Sequence, residues 1–453
     1  MTVEVYTRQE VDALLGQLAV SLQGPQGPQG GQGEPGSAGS SVVCTTLDEL
    51  QDAFSAGEKH ICLKGQHTLS STLVVPADTR LWGYPGAKLT ADGDFNAVEL
   101  GARALLARLE IEGPGNNVYA AASRGVYQAG INNAPAAPTY VDGGTVYDCY
   151  IHGFRNAGIE FRYVNRPVVL HSRIEDCTYA GIACISVKGD GEVAFNRIKN
   201  ISPGESSSCY GMFFSKNYGT ETAFPASRDM WVHHNVVRDV PIWHGFDTHG
   251  GINIKFEDNE AYNCYRAFVC TYNEIYSPMR SGFTRCRAYW APLNKADRGE
   301  AFWIIGAPGS YAEDCYIDDC YANSYGYERV AQNSTIGAVY MSRTKRAKVN
   351  ATLITPLGDG VYLAADNYDF DIDCTIKDPN SDRIFAAYVR VAGNNNTGFV
   401  GGMFLREDAG IGTYVGSHGF QVMSGLTGVA VKFSPKRNAA LTPTQVGSTN
   451  SVY

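Results

Sequence analysis

Residues 149–184 read CYIHGFRNAGIEFRYVNRPVVLHSRIEDCTYAGIAC. Ile151 and the short strand GIEF (158–161) return at one shared spacing as Ile174 and GIAC (181–184). Apolar anchors continue at Ile198, Val237, Ala261, Ala288, Ile317, Leu353 and Ile376, at spacings equal to that first one or longer. A base period of about 23 residues with insertions is the mark of a solenoid whose coils stack while its loops vary. Two positions before the anchors stand Cys149, Ser172, Asn196, Asn235, Asn259, Cys286, Cys315, Ala351 and Cys374. Small or amide side chains in one slot predict an inward stack at a rung corner. The Asn run should form a hydrogen-bonded ladder, with the Cys packed as small apolar groups.

A second strand follows each anchor. After GIEF and GIAC come GMFF (211–214), GFDT (245–248), AFVC (267–270), AFWI (301–304), GAVY (337–340), GVYL (360–363) and AAYV (386–389). Strand alternation turns the third residue of each outward. Parallel stacking then aligns Glu160, Ala183, Phe213, Asp247, Val269, Trp303, Val339, Tyr362 and Tyr388 in one column, with rungs about 4.8 Å apart. The fold class that follows is all-β: a right-handed single-stranded parallel β-helix over 40–392, preceded by a short helix pattern after Thr46 (Leu47, Leu50, Phe54).

Composition agrees. The 453 residues include 44% hydrophobic and 18% charged side chains, enough apolar material for a large core. A net charge of −9 argues against a nucleic-acid or anionic-membrane binder. No apolar run approaches a membrane span. Glu4, Arg8, Glu10 and Asp12 leave no signal-peptide core at the start, so synthesis in the cytoplasm is expected. The twelve cysteines are scattered singly without a zinc-type pair, which suits buried reduced thiols.

The segment 1–39 differs. Thr7 to Glu10 form a capping box, and Val11, Leu15, Leu18 and Leu22 make an a/d seam, so 1–23 reads as a coiled-coil helix. Gly24, Gly27, Gly30, Gly33, Gly36 and Gly39 fall at every third position through 24–39. Only Gly fits the axis of a collagen triple helix, and Pro25, Pro28 and Pro35 pre-set its extended backbone. Three chains are required, so a homotrimer is expected. The segment 393–453, rich in Gly, Asn, Ser and Thr, reads as a C-terminal cap or trimerisation region.

The stretch ICLKGQHTLSSTLVVPADTRLWGYPGAKL (61–89) resembles the entrance to pectate-lyase-like parallel β-helices, among them bacteriophage tailspikes. YTRQEVDALL (6–15) is similar to short helical segments of phage tail fibres. The resemblance spans almost the whole chain as architecture: attachment helix, collagen-like stalk, β-helix, C-terminal trimer module. It implies a virion appendage, made in the host cytoplasm and released by lysis. It also implies an N-terminus bound to a tail, baseplate or neck protein, and a host surface polysaccharide as target, without membrane insertion. The paired Asp and Gly-His-Gly of polygalacturonases are absent; His249-Gly250-Gly251 stands here instead. No catalytic residue is carried over.

Candidate chemistry comes from the column itself. Phe, Trp and Tyr beside carboxylates suit a sugar-binding surface, while three β-helices packed side by side would bury the same aromatics. Four of nine histidines, His233, His234, His244 and His249, crowd into the segment 233–249. Glycoside hydrolysis needs two carboxyls, about 5 Å apart for retention or about 6.5–9.5 Å for inversion. Asp247 is the candidate base or nucleophile, with Glu274 or Glu300 as general acid. His244 and His249 would tune a carboxyl or polarise water. Trp303, Phe213, Trp243 and Tyr272 are candidate sugar platforms. Elimination on a uronic acid would instead use His244 or His249 with Lys255 or Arg266. The His-x-x-Asp-x-His spacing matches no dedicated metal site, so neither metal nor cofactor is expected. The non-enzymatic alternative is a fibre or decoration that binds a receptor or serves structure.

Overall fold

The structure, a computed structural model, describes residues 41–116, 118–203, 208–290, 299–325, 337–354, 359–378, 387–406, 418–422, 426–437, 444–445 and 451–452. The chain divides into Met1–Ser40 and Ser41–Tyr453. The expected helix of 1–23 and the Gly-X-Y stalk of 24–39 lie outside the described residues.

The described part opens on the strand Val42–Cys44 and the helix Leu47–Ser55. Thr46 caps that helix: its Oγ1 accepts the Glu49 amide at 3.1 Å, and the Glu49 carboxylate accepts the Thr45 amide at 2.6 Å. Leu50 points into the core and is fully buried. The helix thereby covers the first rung, where a solenoid end would otherwise expose unpaired strand and apolar surface.

From there the chain coils as a parallel β-helix. Each strand pairs in parallel with its equivalent one coil later, from Val42–Cys44 with His60–Leu63 to Ala430–Arg437 with Ser451–Val452. One ladder runs through Ala157–Arg162, Ala180–Ile185 and Tyr210–Ser215 into the second half of Val236–His249. A second contains Gly191–Ala194, Arg228–His233 and Ile252–Glu257. A third contains Tyr150–His152, Arg173–Glu175 and Arg197–Lys199. Between them runs one apolar core in which Phe214, Phe246, Phe256, Phe268, Phe283 and Phe302 are all buried.

The corner stack forms as an amide ladder. The backbone amides of Ser172, Asn196 and Asn235 donate to the Oδ1 of Asn196, Asn235 and Asn259 at 2.9, 3.0 and 2.9 Å. Nδ2 of Asn235 also reaches Asn259 Oδ1 at 3.0 Å. The residue before each stacked one adopts left-handed φ: His171 (53°), Phe195 (58°), His234 (53°) and Asp258 (52°). That conformation costs a non-glycine residue about 1–2 kcal/mol, and the buried hydrogen bonds of the next residue offset it.

One anchor is misplaced by the sequence. Ala288 pairs with Ala322, not Ile317, and Ala322 pairs with Leu353. Ile317 belongs to the second ladder, between Phe283 and Val349. Cys320 therefore takes the slot assigned to Cys315. The long strand Tyr316–Asn323 serves both ladders, and a template of one fixed period counts it once. Parallel pairing also continues beyond the expected end of the coil at 392, through Thr397–Arg406 and Ala430–Arg437. All twelve cysteines are buried free thiols. Among the described residues no helix is long and apolar enough to cross a membrane.

Candidate functional site

The outward column holds in register through its centre: Glu160, Ala183, Phe213, Asp247, Val269 and Trp303 pair in sequence. Its continuation is corrected. Trp303 pairs with Tyr340, and Tyr362 with Arg390, so Tyr340 and Arg390 replace Val339 and Tyr388. Val339 instead pairs with Phe302 and is buried in the core. Aligning rungs on Gly337 slips the register by one position, which sends every side chain to the opposite face.

The column is roofed over much of its length. Asp247 has no solvent exposure although it faces away from the main core. The strand Val236–His249 carries a register shift between Val240 and His244, with Trp243 at φ +73°. This irregularity folds His244 over Asp247. Nδ1 of His244 lies 2.6 Å from Asp247 Oδ2, and Nδ1 of His249 lies 2.9 Å from the same oxygen. Gly250, at φ +67°, ends the strand directly afterwards.

Burial pushes the Asp247 carboxyl upward, but the His249 and His244 imidazoles outweigh it and hold it at about 2. Burial pushes His244 down to about 4 despite the pull of Asp247. At neutral pH the pair is thus a carboxylate and a neutral imidazole. With Nδ1–H donating to the carboxylate, Nε2 of His244 keeps its lone pair. Three buried polar atoms here have no hydrogen-bond partner among the described residues: His244 Nε2, Asp247 Oδ1 and Trp303 Nε1. Leaving such an atom unpaired costs about 1–3 kcal/mol.

Aromatic rings wall the cluster. Trp243 stacks on His244 at 5.0 Å, and Trp303 meets it edge-on at 5.8 Å. Tyr210 stands edge-on to both imidazoles at 5.7 Å. These residues, with Tyr218, Tyr272 and Glu274, line a cleft of about 600 Å³. Phe213 is only 3% exposed, packed under Tyr210 and Tyr179, so it floors the cleft and is no open platform.

The two expected general acids are held differently from Asp247. Glu274 lies on the cleft wall, where its carboxylate takes Lys216 Nζ at 3.3 Å and the Gly219 amide at 3.1 Å. Lys216 is itself buried over the Tyr276 ring at 4.1 Å. Glu300 is enclosed, 2% exposed, with Arg266 Nε at 2.7 Å. Burial raises its carboxyl against that guanidinium. Arg266 in turn lies 4.1 Å from the Trp303 ring centroid. Glu300 thus props the aromatic wall through Arg266. Lys255 sits on the second ladder and takes no part in this cleft. Sequence reasoning missed Tyr210 and Lys216; the only local signal for Tyr210 is its place directly before GMFF. His244, Asp247 and His249 are the one group of described His, Cys, Asp and Glu residues close enough to share an ion. Their short nitrogen–oxygen contacts are those of direct hydrogen bonds.

Fold and site together define a parallel β-helix with an aromatic-walled, imidazole-bearing cleft on one sheet. No known protein family matches the sequence, nor does any curated protein. Solved structures do match in fold. A substituted catalytic domain of a GH87 α-1,3-glucanase in complex with tetrasaccharides superposes with a TM-score of 0.51 at 12% identity, covering 92% of this chain and 70% of that one. The same kind of domain in complex with nigerose gives 0.50 at 12% identity and the same coverages. The Dettilon tailspike protein gives 0.47 at 12% identity, over 83% of this chain and 64% of its own. At these identities the shared property is the β-helix fold.

Proposed function

We propose that this chain is a tailspike-like protein that binds and cleaves a surface polysaccharide, as a homotrimer carried on its N-terminal stalk. The observation that carries the reading is the cleft over Asp247, where aromatic rings surround polar atoms that lack partners. The indoles of Trp243 and Trp303 and the Tyr272 ring take the C–H faces of sugar rings. The GH87 domain, a polysaccharide-cleaving β-helix, supports the choice of substrate class.

The reaction read here is hydrolysis. Asp247 is enclosed, so it acts through its imidazoles. It fixes each Nδ1–H, and Nε2 of His249, the more exposed imidazole of the two, takes a proton from the attacking water. Glu274 is the carboxyl on the cleft wall and protonates the leaving oxygen; its bond to Lys216 must loosen for it to carry that proton. A second reading is elimination on a uronate: His249 removes the proton beside the carboxylate, Arg266 against Trp303 neutralises that carboxylate, and the glycosidic C–O bond breaks with Glu274 protonating the leaving oxygen.

Incubation with host capsule or lipopolysaccharide tests both. Hydrolysis releases reducing ends alone, and elimination adds an ultraviolet-absorbing unsaturated sugar. Binding without product identifies a non-enzymatic fibre. The absence of both binding and product with every host glycan overturns the proposal.

A further inference from the structure

The second ladder carries another aromatic surface that the cleft chemistry does not use. Glu192, Trp231 and Lys255 are register partners on three successive coils, a span of about 10 Å. Trp231 is 46% exposed, yet it is fixed on two sides. One face stacks on His233 at 3.8 Å, and its indole N–H donates to Glu257 at 3.0 Å. His233 is pinned by Glu192 at 3.0 Å and by His234 at 2.9 Å. Next to it, Phe195 is 44% exposed and sandwiched between His171 and His234, each at 4.9 Å. Large aromatics held this firmly in contact with water lose little entropy on binding a ring.

The groove beside Trp231 holds about 410 Å³ and is lined by Asp190, Glu192, Asp229, Asn253, Lys255 and Glu257. Carboxylates accept strong hydrogen bonds from hydroxyls. Arg285 neutralises Glu257, which leaves Asp190, Glu192 and Asp229 against Lys255, an acidic excess that repels a polyanion. An aromatic platform with this rim fits a neutral or amine-bearing sugar and not a uronate.

We infer that Trp231 and its carboxylate rim form a second glycan-binding site, on a different ladder from the cleft, for a neutral or amino-sugar stretch of the polymer. It rests on the reading of the protein as a glycan binder. Two sites on one rigid body raise the hold on a long chain by avidity without altering turnover of a short one.

The test uses the full-length protein on an array of neutral, amino-sugar and uronate bacterial polysaccharides. Trp231→Ala should weaken polymer binding at least tenfold, confined to neutral or amino-bearing glycans. Cleavage of short oligosaccharides and the sedimentation mass should not change. Trp303→Ala, in the cleft, serves as the comparison. If Trp303→Ala abolishes binding and Trp231→Ala does not weaken it, the second site is wrong while the glycan reading stands. If Trp231→Ala changes the assembly mass, the surface is a subunit contact and the inference falls. If the unaltered protein binds no glycan on the array, both readings fall.

Discussion

Nδ1 of His244 lies 2.6 Å from Oδ2 of Asp247, and neither side chain has any exposure to solvent. The two residues belong to one strand and are brought together by the irregularity after Val240. A fully buried carboxylate is tolerated only when it is paired and hydrogen-bonded. Here two imidazoles do that, and the carboxylate in return fixes their tautomers.

Asp247→Asn should separate charge from shape. The amide keeps the shape, and its oxygen can still meet both Nδ1–H groups where Oδ2 stood, but it lacks the negative charge that stabilises an imidazolium once the base has taken its proton. Turnover should drop by about 10²–10⁴, with glycan binding through Trp243 and Trp303 retained. Initial rates beside an equilibrium binding assay check this; unchanged turnover would remove Asp247 from the reaction.

The acid limb of stability should begin near the unfolded histidine pKa. His244 is held at about 4 when folded, against about 6.5 unfolded. Between those values the unfolded chain binds the extra proton, so stability falls as pH drops, at about 1.4 kcal/mol per pH unit for one such group. Asp247, at about 2 when folded, adds a loss in the same direction below about pH 4. Denaturant midpoints from pH 7 to 3 should show this, and His244→Gln should flatten the slope between pH 6.5 and 4. An equally steep slope in that variant would mean His244 is not the group involved.

Asn235 sits in the middle of the amide ladder, accepting from Asn196 and donating to Val193, His233 and Asn259. Asn235→Ala strands several buried groups at once and should cost about 2–5 kcal/mol. Unfolding in guanidinium should be both earlier and faster than for an exposed control such as Lys199→Ala.

The twelve thiols should be silent in the native state. Each is buried, and burial pushes Cys149, Cys177 and Cys374 up to about 12. Ellman's reagent should find none within minutes and twelve after denaturation. Early reaction of several would contradict the packing of the rung corners.

Sedimentation should give three times the 49.0 kDa chain mass, and removal of the segment 1–39 should weaken that assembly. A monomer at micromolar concentration would sink the collagen reading of 24–39.

The sequence by itself carried the coil repeat, the Asn196–Asn235–Asn259 ladder and the centre of the outward column. Parallel in-register stacking writes one structural position into the chain every coil, so local pattern suffices. It also placed His244, Asp247 and His249 together, since all three lie within one strand. It failed where a strand served two ladders, at Ile317, and where a glycine misled the register, at Val339. What the folded chain alone decided was exposure and partnership. Glu274 meets Lys216, and Glu300 meets Arg266, each across more than one coil's length of chain. Loops of unrelated length set those contacts, and they turn open carboxylates into buried or bridged ones. Asp247 points outward as its alternation requires, yet Trp243, Tyr210 and the imidazoles close over it, because a wall of side chains from three coils has no signature in any one of them.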